Sequence, residues 1–375
     1  ATRISTPKMT GFMKLLLTFN WWVNKKDPLG RNLFAGGFLG LDNIGVVDRS
    51  KPLPDGAYIE QADGTAWMGF FCSSMLQIAF ELARDDPAYE DMASKFFEHF
   101  VTIIDSINRI GSNGLWDSKD GFYYDHIVQN GKTVMIKCKS LVGLLPLIGV
   151  CLLPDSTISK LPQFQKRMNW FLTNRPELGR HVIHKQCNRG VDGSGCCLLA
   201  LVPVEHLPRV LSHMFDESEF LSPFGIRSLS KAESLTTFCM ASSGCVTISY
   251  DPGESSSSLF GGNSNWRGPI WFPTTFLLIE ALEEYSTFFG HDFLVQFPTR
   301  TGKPGLLSDA AIDICKRLVH LFLINSQGMR PCNGQDPLYL QETWKDLILF
   351  HEYLPGDNGR GLGAYHQTGC CALIT

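Results

Sequence analysis

Gly261-Gly262-Asn263-Ser264-Asn265-Trp266-Arg267-Gly268-Pro269-Ile270-Trp271 runs directly into an apolar segment that reads as helix from Phe272 to about Phe289. The paired glycines permit a sharp turn. Pro269 fixes its own φ and pushes Gly268 toward an extended conformation. A stiff loop therefore delivers two indoles, an amide and a guanidinium to the mouth of a helix. That chemistry suits a sugar: indoles stack on its C–H faces while Arg267 and Asn265 reach its hydroxyls. Two tryptophans alone would be equally well explained as a core plug. The intervening Arg267 favours binding, because an arginine is seldom buried without a partner.

The same helix-then-loop alternation extends outward along the chain. Met9–Val23 reads as a helix. Lys51–Gly56 is a proline-rich turn, and Glu60-Gln61-Ala62-Asp63-Gly64 opens a long helix with Met68, Phe71, Met75, Ile78 and Leu82 at helical spacing. Asp86-Pro87 ends it, and Phe97, Phe100, Ile104 and Ile107 mark a second helix, so the two form a helical hairpin. A polar, aromatic loop with a short hairpin is expected from Leu115 to Asp125. Further helices are expected near Lys139–Cys151, Ser159–Thr173, Cys196, Val204–Met214, Thr275–Phe289, Leu307–Ile324 and Leu338–Leu349. Val246–Tyr250 reads as a strand and Gly253–Gly262 as a lid. No fixed-period repeat argues for a solenoid. The expected fold is all-α: paired helices in one toroid, a single α/α barrel over residues 1–375, with the polar loops gathered at one end.

The bulk numbers exclude some classes. The 375 residues are 44% hydrophobic and 19% charged, with a formal net charge of −4. A nucleic-acid binder needs a basic face, so that partner is not expected. No apolar run is read as membrane-spanning. The chain starts Ala-Thr-Arg, which suggests a C-terminal portion of a longer protein. Its twelve cysteines include no Cys-x-x-Cys, and there is no Asn-x-Ser/Thr sequon. Free buried thiols in a reducing, cytoplasmic setting are the expectation.

Several residues could carry chemistry. Asp42, in Gly40-Leu41-Asp42-Asn43, can place a carboxyl in a pocket as a general acid. Glu352, at the end of an apolar segment and before a glycine-rich loop, can activate water. Asp63, Asp117 and Asp125 are rival carboxyls, each near an aromatic residue. A turn or cap role is the ordinary explanation for any one of them. Asp85-Asp86 with Asp91 loosely matches a diphosphate site, but Pro87 makes it a turn. His181 and His184 stand three apart with no third ligand in evident spacing, so no metal is expected. Cys196 lacks an evident histidine partner for a catalytic thiol.

Five motifs occur in a specific order: Phe38-Leu39-Gly40-Leu41-Asp42-Asn43, Glu60–Trp67, Gly121-Phe122-Tyr123-Tyr124-Asp125, Asn265–Trp271, and Gly356-Asp357-Asn358-Gly359 with His366-Gln367-Thr368-Gly369. With them the chain resembles the catalytic domain of glycoside hydrolase family 63, which includes processing α-glucosidase and mannosylglycerate hydrolase-like enzymes. The resemblance spans nearly the whole chain. It implies an (α/α)6 barrel and hydrolysis of an α-glucoside or related α-glycoside with inversion. It implies Asp42 as general acid and Glu352 as general base, with no metal or organic cofactor. Substrate contacts are implied at Phe38, Asn43, Gln61, Asp63, Trp67, Trp116, Asp117, Tyr124, Asn265, Trp266, Arg267, Gly268, Trp271, His366 and Gln367. Two positions depart from that family's usual pattern, Ala35 in place of Glu and Cys370 in place of Trp, and both bear on substrate range. The competing readings are a carbohydrate-binding pseudoenzyme on the same barrel, a terpenoid-type α/α barrel, and a structural scaffold. Retention of both carboxyls disfavours the first, and the polar Trp/Arg-rich loops disfavour the second.

Overall fold

The computed structural model describes residues 6–36, 40–49, 51–109, 114–185, 195–233, 236–240, 244–256, 258, 262, 264–301 and 303–366. The chain groups into two compact units, each assembled from separate stretches of sequence. One takes residues 1–36, 59–126 and 145–207, the other 37–58, 127–144 and 208–375.

The first unit is built on the helices Thr6–Val23, Ala62–Ala83 and Ala88–Ile107. The last two form the expected hairpin. Asp86 turns it, accepting the Ala88 amide at 3.0 Å. Phe80 and Phe97 pack edge-on against Phe164, with centroids 4.8 and 5.9 Å away. Phe164 belongs to the next helix, Pro162–Asn174. Glu90 caps that helix: one carboxylate oxygen accepts the Gln163 and Phe164 amides at 2.7 and 2.9 Å. A carboxylate there meets both the unsatisfied first-turn donors and the positive end of the helix dipole. Ala62–Ala83 is long and apolar enough to cross a membrane by length and composition, contrary to the reading from sequence. Since 61% of its apolar window is buried inside the protein, packing against the rest of the unit accounts for that apolar content.

The first unit also holds a three-stranded antiparallel sheet in the order Val150–Pro154, Cys196–Ala200, Val182–Lys185. This corrects the all-α expectation. The helices expected over Lys139–Cys151 and near Cys196 are instead short 3-10 turns followed by strand, and a strand. Cys196-Cys197-Leu198-Leu199-Ala200 is buried at every position, and so short an apolar run has no periodicity with which to separate strand from buried helix. The central strand leads into Leu201, which fixes two glycines. A Cβ on Gly69 or Gly149 would lie 2.6 or 2.4 Å from a Leu201 methyl.

In the second unit the helices Phe272–Phe289 and Leu307–His320 pack together, as the sequence suggests. Four two-stranded ribbons surround them in the chain order: Leu221–Ser222 with Gly225–Ile226, Thr236–Met240 with Gly244–Ile248, Val295–Gln296 with Pro304–Gly305, and His351–Tyr353 with Leu362–Tyr365. The expected helix over Leu338–Leu349 is absent. Pro337–Leu340 is a 3-10 turn, and Leu340, Leu347 and Ile348 are 52, 47 and 44% exposed, so its apolar positions gain no core to drive helix formation.

Among the described residues, Cys72, Cys138, Cys151, Cys197, Cys315 and Cys332 form no disulfide. Cys196 is disulfide-bonded, an exception to the expectation of unpaired thiols.

Candidate active site

The Trp/Arg loop lies in the second unit and is held by two other stretches of that unit. At its start, Ser264 hydrogen-bonds the Asp42 carboxylate. The neighbouring Asn43, 1% exposed, accepts the Trp266 amide at 2.7 Å and donates to Asn265 Oδ1 at 3.0 Å. Arg267 Nε returns to the Asn43 carbonyl at 2.8 Å. Asp42 and Asn43 are therefore fixed by the loop that follows them by more than two hundred residues.

Asn265 is fully buried, and its side-chain amide ties the loop to the chain around it. Its Nδ2 donates to the carbonyls of Asp251 and Gly253 at 2.7 and 2.9 Å, while Oδ1 also accepts the Arg267 amide at 3.0 Å. Its own carbonyl takes the Trp271 indole N–H at 2.9 Å. Gly268, at φ +141°, leaves no room for a side chain: a Cβ would stand 2.7 Å from the Tyr250 ring.

At its other end the loop bridges to Leu354, the residue just after the strand His351–Tyr353 that carries Glu352. Ile270 and Leu354 exchange both backbone hydrogen bonds, at 2.7 and 3.2 Å. Trp271 stacks on Tyr353 at 5.0 Å. The Tyr353 hydroxyl donates to Glu254 at 2.7 Å. Burial and the adjacent Glu254 carboxylate push that hydroxyl up, which keeps it a donor at neutral pH. Glu352 accepts the Ala364 amide at 3.3 Å. Gly363 keeps the space: a Cβ there would lie 2.7 Å from Glu352 Oε2.

Beneath the loop, Arg227 and Ser228 complete its support. Arg227 forms an antiparallel bridge with Ile270, and Ser228 Oγ accepts the Gly268 amide at 3.1 Å. The Arg227 guanidinium, 2% exposed, meets Asp357 at 3.1 Å. Lys231 and Tyr250 donate to the same carboxylate at 2.9 and 3.0 Å. Burial alone would raise Asp357, but the bonds from Lys231, Tyr250 and Arg227 outweigh it and hold the carboxyl below its ordinary value. A depressed folded-state pKa contributes stability above the unfolded value of about 4, lost as pH falls through the folded one. Asp357→Asn is therefore expected to lower Tm at neutral pH, with the gap to wild type closing on acidification. An equal gap at pH 7 and at about pH 3 would refute that linkage.

The structure separates the proposed substrate residues by unit. Asp42, Asn43, Asn265, Trp266, Arg267, Gly268, Trp271, Glu352 and the exposed His366 belong to the second unit. Phe38, Gln367 and Cys370 lie outside the described residues. Gln61, Asp63, Trp67, Trp116, Asp117 and Tyr124 belong to the first unit. There Gln61 accepts the Gly36 amide at 2.6 Å, and Trp116 stacks on His206 at 3.9 Å. Two rival carboxyls acquire local duties. Asp125 accepts the Ala62 amide at 2.7 Å at the start of the long helix, and Asp117 accepts the Asp120 amide at 2.7 Å within its hairpin.

The tryptophans depart from the picture drawn from sequence. Trp266 and Trp271 are 7 and 6% exposed and stack on each other, centroids 3.9 Å apart and planes 4° from parallel. Their facing surfaces are spent on one another. Trp266 Nε1 is buried with no partner among the described residues. The sequence assigned no role to Ser264, although it stands in the loop, to Asp357, although it stands in a motif, or to Glu254 and Arg227. Glu254 had one signal, as a lone carboxylate in a Gly/Ser-rich segment.

A carboxylate held by a polar, indole-bearing loop, with a second carboxylate on the strand that ends where the chain bridges to that loop, is a site suited to glycoside chemistry. The family model for the glycosyl hydrolase family 63 C-terminal domain matches residues 45–293. The chain belongs to glycosyl hydrolase family 63. The match includes Asn265–Trp271 and stops short of both Asp42 and Glu352. "Uncharacterized protein YMR196W" of Saccharomyces cerevisiae is 47% identical over 380 residues, covering 97% of this chain and 35% of that protein. The chain thus spans about a third of the length of that curated relative. Among solved structures, the family 63 mannosylglycerate hydrolase of Thermus thermophilus in complex with glucose is similar at 14% identity and a TM-score of 0.43, over 95% of this chain and 65% of that one. The same enzyme in complex with Tris gives 15% and 0.43, over 98% and 70%.

Proposed function

We propose that this chain carries the acid–base machinery of an inverting glycosidase acting on an α-linked glucoside or related α-glycoside, on an (α/α)6 barrel. Asp42 is the general acid that protonates the glycosidic oxygen. Glu352 is the general base that takes a proton from the attacking water. The observation that carries this reading is the double anchorage of one short loop: Ser264 and Trp266 bind Asp42 and Asn43, and Ile270 pairs with Leu354 beside Glu352. Two carboxylates far apart in sequence are thereby referred to one rigid element.

The buried indoles form the wall of this site. The half-buried Arg267 has Nε committed to Asn43, and its terminal nitrogens make no hydrogen bond among the described residues, which leaves them for sugar hydroxyls. An inverting pair must leave room for a water, so the carboxyls of a ligand-bound crystal structure are expected about 6.5–9.5 Å apart. The direct test is proton NMR of the first-formed product. An α-glycoside should release β-sugar. First release of α-sugar would mean retention and would remove Glu352 from its role.

A further inference from the structure

A second group of chemistry-bearing side chains lies wholly in the first unit. Asp155, His184 and Cys197 present one ligand atom each within 4.8 Å of one another. The sheet explains why. His184 and Cys197 are directly opposed on antiparallel strands, and such cross-strand partners share a face with Cβ atoms about 4.5–5.5 Å apart. Asp155 follows the strand on the other side of Cys196–Ala200, and its amide donates to the Gly195 carbonyl at 2.9 Å. His184 Nε2 then sits 3.2 and 3.1 Å from the two Asp155 oxygens. Gly195 keeps the junction open: a Cβ there would be 2.6 Å from Asp155 Oδ2 and 3.1 Å from His184. The three ligands line a cavity of about 420 Å³ together with Ile158, Gln165 and Met168.

The sequence set aside His181 and His184 as a metal pair for want of a third ligand, and the structure sends the two histidines to different partners. His181 turns to Asp105 at 3.2 Å. His184 finds its companions across the sheet, where sequence spacing does not reach. Cys197 is 5% exposed, too enclosed for a nucleophile that a substrate must reach.

We propose that Asp155, His184 and Cys197 form a zinc site, through one carboxylate oxygen, Nε2 and Sγ, with water in the fourth position. A thiolate with an imidazole excludes calcium and magnesium, which take oxygen ligands. One sulfur, one nitrogen and one oxygen in so small a space suit a tetrahedral, borderline-soft cation. The ion ties the start of the Asp155–Ile158 helix to two strands.

The test uses protein stripped with a chelator and titrated with Co²⁺ as an optical surrogate, without thiol reductant so that the Cys196 disulfide persists. One equivalent is expected to bind, with a sulfur-to-cobalt charge-transfer band that Zn²⁺ abolishes by displacement. Cys197→Ser should remove the band. His184→Gln and Asp155→Asn change side chains that are 57 and 40% exposed, so folding should persist while affinity falls by more than about tenfold. No charge-transfer band in wild-type protein would overturn the proposal, as would unchanged Co²⁺ affinity in both exposed variants.

Discussion

Glu352→Gln is expected to lower kcat by about 10²–10⁴-fold on every α-glycoside the protein turns over, because a general-base contribution of that size disappears whatever the leaving group. Asp42→Asn should cause a comparable loss on alkyl glycosides. It should cost much less on substrates whose leaving group departs without a proton, such as those with activated aryl aglycones. The contrast separates the two roles better than either loss alone. The geometry makes the comparison fair, since Glu352 and Asp42 are each half-buried and each held by a hydrogen bond from a neighbour, Ala364 and Ser264 respectively. Amide isosteres can remain in place at both positions. Assays should span α-glucosides, α-mannosides and glyceryl glycosides. Variants that retain kcat within tenfold of wild type would dismiss the assignment. A wild-type protein that binds these sugars yet turns none over would instead be the carbohydrate-binding pseudoenzyme.

Asn265→Ala should be the most damaging single change to the loop. Truncation strands the carbonyls of Asp251 and Gly253 and the amide of Arg267, all of which Asn265 satisfies. A buried polar group left without its partner costs roughly 1–3 kcal/mol. These three groups are part-buried, so relaxation and entering water relieve some of that cost, and the loss is about 3–5 kcal/mol. In a protein of this size that is a Tm lowered by on the order of 5 °C. Asn43→Ala acts on the same network, so the double variant should lose less than the sum of the single losses. A calorimetric Tm within about 2 °C of wild type for Asn265→Ala would show that the loop is not held as described.

The sequence made some of this legible and concealed the rest for identifiable reasons. Long periodic segments such as Ala62–Ala83 and Phe272–Phe289 announce themselves, because burial of one face repeats over many turns. The short sheets do not, and Cys196–Ala200 carries no periodic signal that distinguishes strand from helix. The motif around Asp42 and the Trp/Arg loop were visible as candidates for one site. What tied them was invisible: Ser264 to Asp42 and Ile270 to Leu354 are contacts across long sequence separations. Asp117 and Asp125 could not be ranked from position alone, since turn and capping roles emerge only with the backbone partners they satisfy. Sequence also anticipated exposed sugar platforms in Trp266 and Trp271. It could not foresee that the two rings would choose each other, a choice set by how tightly the loop closes around Asn265.

That mutual stacking has an optical consequence. Two indoles 3.9 Å apart and 4° from parallel bring their electronic transitions close enough to couple. The pair should therefore give an excitonic signature in near-ultraviolet circular dichroism and quench part of the fluorescence of the chain's eight tryptophans. Any event that shears Trp266 from Trp271 would brighten emission and flatten that signature, so the loop between Asp42 and Glu352 reports on its own closure without an added label.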